Sequence, residues 1–133
     1  MTLASRILIA VVAALHLCIA WFEIFAWTEV GPDVFSSFDP DLFPDTVELA
    51  ANQGVYNLFL AAGLIWALFI GDPVWRFKVS CCFLGFVAIA GLAAAITVDI
   101  GTGLPQLVPS VVALAVTAMA YRSQIDSGGA SLA

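Results

Sequence analysis

The sequence predicts an all-α polytopic membrane protein, an antiparallel bundle of four transmembrane helices. Three observations predict it. Hydrophobic residues make up 62% of the chain and charged residues 11%, with a mean hydropathy of +1.05, outside the range of soluble domains. The apolar residues gather into four runs, about 5–27, 47–70, 77–98 and 106–121, each close to the length that crosses a hydrocarbon core of about 30 Å. All four basic residues, Arg6, Arg76, Lys78 and Arg122, fall on one side of a chain that crosses four times.

The bases predict both termini and the Arg76/Lys78 turn in the cytoplasm, and so a multi-pass membrane protein. Glu29, Asp33, Asp39, Asp41, Asp45, Glu48 and Asp99 then lie toward the outside. With a net charge of −6 and no basic patch, nucleic acid is excluded as a partner. The 133 residues are one domain, 1–122, followed by a Gly/Ser/Ala-rich flexible tail over 123–133.

Span one starts near Ser5-Arg6 and closes on Trp27, an aromatic at interfacial depth. It continues through Trp21 and Phe22, so it reads as a span and not as a cleaved signal peptide. The bulky Leu17 before Cys18 argues against a lipoprotein cleavage box. At about 100° per residue His16, Ala20, Glu23 and Trp27 share one stripe, which carries both ionisable groups of the span.

Residues 28–45 form the one sizeable loop. Pro32, Pro40 and Pro44 oppose a long helix there, while Phe35, Phe38 and Phe43 fold the segment down onto the bundle. Asp45-Thr46-Val47-Glu48 has the form of a capping box that starts span two, with Asp45 as the cap. Span two stops at Gly71, and Asp72-Pro73 reads as a new N-cap with proline in the first turn. The turn is short enough to make spans two and three antiparallel neighbours.

Gly91 and Ala95 of span three form a small-xxx-small step suited to close helix approach. Residues 99–103 make the second external turn, Pro105 opens span four, and Pro109 tilts or kinks its first turn. Cys18, Cys81 and Cys82 read as small buried apolar residues. His16 and Cys18 project about 200° apart, so no metal site is expected, and no cofactor is expected either.

One stretch does not fit an apolar span. Ala51-Asn52-Gln53-Gly54-Val55-Tyr56-Asn57 places four hydrogen-bonding side chains at the start of span two, where each needs a partner. Glu23 lies about 6 Å inside the external end of span one, and His16 about 10 Å deeper. Span two runs the other way, so Asn52 and Gln53 stand near the level of Glu23, and Tyr56 and Asn57 nearer His16. An inward-facing cluster of His16, Glu23, Asn52, Gln53, Tyr56 and Asn57 follows. Each member alone also reads as a helix-register or packing residue.

These residues carry a resemblance. The histidine and Trp-Phe-Glu of span one, then Ala51 to Asn57, then Leu60-Ala61-Ala62-Gly63-Leu64, resemble the bacterial DUF1304 membrane proteins over about residues 3–122. The resemblance implies a small four-helix integral membrane protein and brings no established reaction. It does not account for the long acidic loop or the Cys81-Cys82 pair.

Three functions compete. The first is a lipid-embedded pocket for a small hydrophobic molecule. There His16 and Glu23 are a candidate acid/base pair for a double-bond isomerisation or an epoxide hydration. Asn52, Gln53, Tyr56 and Asn57 orient the ligand, and Trp21, Trp27 and the loop phenylalanines wall it. The second is a structural or accessory subunit of a larger membrane complex or homo-oligomer, docking through the small-residue face of span three. The third is a component of a proton-coupled transporter.

Overall fold

A computed structural model describes residues 1–130, with side chains through Ser127. These residues fold into six helices in chain order, with no strand among them: α1 Leu3–Phe25, α2 Trp27–Val34, α3 Leu42–Asp45, α4 Val47–Phe69, α5 Pro73–Thr97 and α6 Ile100–Ala130. Three of them, α1, α5 and α6 as far as Ser127, are long and apolar enough to cross a membrane. α4 matches α1 at 23 residues, but Asn52, Gln53 and Asn57 lower the hydropathy of its first half. Of four expected spans, three meet the requirement on length and composition.

The outer surface supports a bilayer environment. Leu3, Phe25, Phe69 and Ile96 are each at least 74% exposed, and apolar side chains face outward along α1, α4, α5 and α6. The interior is small by comparison: Ile9, Val12, Ala13, Leu64, Leu84, Val87 and Ala113 interlock where these four helices meet. Between apolar helices in hydrocarbon, association rests on close packing and on hydrogen bonds. The Ser5 and Thr117 hydroxyls supply one such bond, 2.7 Å apart across the α1–α6 seam.

α1 lies along α4 and α5 along α6, with thinner seams between α4 and α5 and between α1 and α6. The α5–α6 pair is antiparallel and very close. A Cβ on Gly91 would strike the Leu107 backbone, one on Gly103 would strike the Ala95 nitrogen, and the rings of Phe77 and Tyr121 stack at 4.0 Å. The Gly91/Ala95 face expected to dock a partner is thus occupied by α6. Cys18 and Cys82 are exposed rather than buried, and only Cys81 is partly covered.

The short connections follow their local chemistry. Asp72 caps α5 as expected, its carboxylate accepting from the Trp75 N–H at 2.8 Å with Pro73 in the first turn. Arg76 donates to the carbonyls just past the end of α4, Ile70 at 2.6 Å and Gly71 at 3.2 Å. Residues 28–45 are more helical than expected. The prolines exclude a long helix but not two short ones, because α2 ends two residues after Pro32 and Pro44 sits in the first turn of α3.

The capping box does not form. Asp45 is already inside α3, and Thr46 takes the cap position of α4 while its hydroxyl donates back to Leu42 O at 2.7 Å. At its far end α6 continues to Ala130, past the expected boundary at 121, because nothing between Tyr121 and Gly128 interrupts a helix. Hydropathy marks where apolar surface stops, not where a helix does. The flexible tail expected over 123–133 is therefore helical through 130, and residues 131–133 lie outside the described residues.

Candidate functional site

The site is built where α1 and α4 come closest. Ala20 on α1 is fully buried, and Gly54 on α4 packs so tightly that a Cβ there would press on Ile24 and on the Ala20 carbonyl. That approach brings Asn57, less than a turn further along α4, within reach of Glu23. The Asn57 amide donates to Glu23 Oε2 at 2.8 Å and also lies 3.3 Å from Gln53 O. Glu23 is half-buried, and Oε1 has no partner among the described residues.

Two cavities meet at Glu23. The first, about 300 Å³, lies between α1, α3 and the start of α4, with Trp27, Phe38, Phe43 and Gln53 in its wall. The second, about 450 Å³, lies between α1, α2 and α6, with Phe22, Phe35, Thr102 and Gln106 in its wall. An aromatic cluster centred on Trp27 stands beside both. Its ring lies 5.6 Å from Phe22, 5.7 Å from Phe35 and 5.1 Å from Phe43. Phe43 is 1% exposed and rests on Gly31, so the connecting segment is folded down as its phenylalanines suggested. The Trp27 indole N–H donates to Thr46 Oγ1 at 3.0 Å, which fixes the ring between α1 and α4.

Asp99 borders the second cavity from the α5–α6 turn. Its carboxylate accepts the Thr102 hydroxyl at 2.7 Å and the Thr102 N–H at 2.9 Å, and these bonds hold its pKa below the ordinary aspartate value. It thereby caps the start of α6, and the expected five-residue turn shrinks to Val98-Asp99.

The eight site residues expected from sequence separate into groups. Glu23 and Asn57 are bonded to each other; Trp27 and Gln53 line the first cavity. His16 is fully buried but lines neither cavity. Its Nδ1 donates to Val12 O one turn back at 2.9 Å, and Nε2 has no partner among the described residues. His16 and Glu23 do not bond to each other; they sit two turns apart on α1.

Asn52, Tyr56 and Trp21 point outward, Tyr56 at 55% and Trp21 at 59% exposure, so none of the three joins the cluster. The reason is angular. Asn52 and Tyr56 form one stripe of α4 and Gln53 and Asn57 the next; on the second, Asn57 is half-buried against α1, while Gln53 is exposed at the edge of the first cavity. Sequence reasoning missed Thr102 and Gln106. Gln106 is the lone amide in the first half of an apolar run, and that isolation was the available signal.

No curated protein and no solved structure matches the chain. A family model does, that of a protein of unknown function (DUF1304), over residues 10–118, a segment that includes His16, Glu23 and Asn57. On a match across most of its length, the chain belongs to the DUF1304 family.

Proposed function

We propose that the protein binds a small hydrophobic molecule at Glu23, within an antiparallel four-helix bundle of the bacterial cytoplasmic membrane with both termini inside. Lateral packing supports α4 as the fourth span, since α4 lies along α1 over its length and its outward face carries Phe59, Trp66 and Phe69. The observation that carries the binding reading is the conjunction at Glu23. One carboxyl group, half-buried and held by a single amide, borders two largely apolar cavities of ligand size. Gln53 and Gln106 give a bound molecule further polar contacts from opposite sides.

An isomerase or hydratase would use His16 and Glu23 together. Two helical turns put them about 10 Å apart, so they would serve opposite ends of a substrate rather than one reacting atom. Binding is therefore the stronger reading. The accessory-subunit alternative loses the face it relied on, because Gly91 packs on α6.

The test is purification in mild detergent followed by mass spectrometry of co-purifying small molecules. A molecule that accompanies the wild-type protein and is lost from folded Glu23→Gln and Asn57→Leu variants supports the reading. A molecule retained equally by those variants would place it elsewhere.

A further inference from the structure

We infer that the cavities beside Glu23 take a lipophilic cation, a molecule with an amine or quaternary ammonium head on a small apolar body. The inference rests on the binding reading above and narrows it to one chemistry. Its first support is the balance of unspent hydrogen-bonding capacity. Apart from the Gln53 and Gln106 amides, the side-chain hydrogen-bond donors near the cavities are already committed. The Trp27 indole bonds Thr46, the Thr46 hydroxyl bonds Leu42 O, the Thr102 hydroxyl bonds Asp99, and the Asn57 amide bonds Glu23 itself. Glu23 Oε1 remains open, and among the described residues only Gln53 and Gln106 keep an uncommitted amide in the walls.

The second support is the distribution of charge. Neither cavity has a basic residue in its wall. Arg6 and Arg76 are at the opposite end of the helices, bonded to Leu68, Ile70 and Gly71 carbonyls. The end that carries α2 and α3 holds Glu29, Asp33, Asp39, Asp41, Asp45 and Glu48 with no base among them. An anion meets repulsion there and no counter-charge, whereas a cation is concentrated at the mouth before it reaches Glu23.

The third support is the wall itself. Phe22, Trp27, Phe35, Phe38 and Phe43 are the largest side chains around the two cavities. Aromatic faces attract an ammonium group that has shed its water, and a carboxylate among them is the usual counter-charge for such ligands. A polar neutral molecule would use Glu23 and the glutamines but would draw nothing from this ring cluster or from the acidic mouth.

The test uses an isosteric pair. Phenyltrimethylammonium and tert-butylbenzene differ by one nitrogen for one carbon and by one charge; benzenesulfonate is the anionic control. Each is equilibrated by dialysis against the full-length protein in nanodiscs, with empty nanodiscs of the same lipid subtracted. The cation is expected to bind at least tenfold more tightly than the neutral isostere, the sulfonate not at all, and Glu23→Gln to weaken the cation at least tenfold. Phe38→Leu, at a side chain that is already 41% exposed, is expected to weaken it several-fold without unfolding the protein. Equal binding of cation and isostere by the wild-type protein would overturn the cation inference and leave the pocket standing. Binding of none of the three would overturn it as well, while a co-purifying neutral molecule could still uphold the pocket.

Discussion

Glu23 and His16 show opposite solutions to a polar group on an apolar helix. Glu23 is held by Asn57 from the neighbouring helix. His16 satisfies one nitrogen on its own helix and leaves Nε2 buried and unpartnered among the described residues. An unsatisfied buried polar atom costs about 1–3 kcal/mol, and exchange for an apolar side chain of similar volume removes that cost. His16→Leu is therefore expected to leave thermal stability in detergent unchanged or raised. A marked fall in melting temperature would mean that Nε2 has a partner in the membrane. Depth was legible at this scale and azimuth was not. Counting 1.5 Å per residue places Glu23 opposite the amide-rich start of α4. Which of two adjacent stripes turns inward depends on Gly54 settling against Ala20 and Ile24, and both stripes carry an amide.

At the scale of the helices, the α5–α6 seam brings backbone against backbone. Gly103 sits against the backbone of Ala95 and Gly91, where no side chain can give way. Gly103→Val should force the helices apart at a cost of about 1–3 kcal/mol, read from unfolding in detergent. The same substitution at Gly85, which has open space around it, should have little effect on stability apart from helix propensity. Half of this seam was readable, since Gly91 and Ala95 carry the small-residue spacing. Gly103 was read as part of a turn, because Gly-Thr-Gly before a proline looks like one until Asp99 is seen to cap it.

Asp99 adds a pH dependence with a definite sign. Its pKa in the folded protein is below the 3.8 of a free aspartate because Thr102 donates to the carboxylate. A lowered pKa means that the charged cap stabilises the fold fully above about pH 4, and that this contribution is lost as pH falls through the depressed value. The stability difference between wild type and Asp99→Asn should thus be constant from pH 7 to about pH 4 and narrow below it. A difference that does not vary over that range and below would remove the charged cap from the account.

For the whole molecule, four long helices with apolar outer surfaces surround a thin core, and all bases sit at one end. That much followed from composition and from the positions of Arg6, Arg76, Lys78 and Arg122. The two short helices over 28–45 did not, because prolines speak against long helices and are silent on short ones. The proposed orientation makes its own prediction. With Cys18, Cys81 and Cys82 replaced by alanine, a cysteine at Ser36 should react with a membrane-impermeant maleimide in intact cells, and one at Ser127 only after lysis. The reverse pattern would invert the protein in the membrane.

The binding reading depends on α1 and α4 meeting so that Glu23 and Asn57 bond across them. A double-mutant cycle with Glu23→Ala and Asn57→Ala, read from unfolding free energies in one detergent, tests that most directly. A coupling of about 1 kcal/mol between the two positions is predicted. Additivity within about 0.3 kcal/mol would contradict the contact, and with it the site.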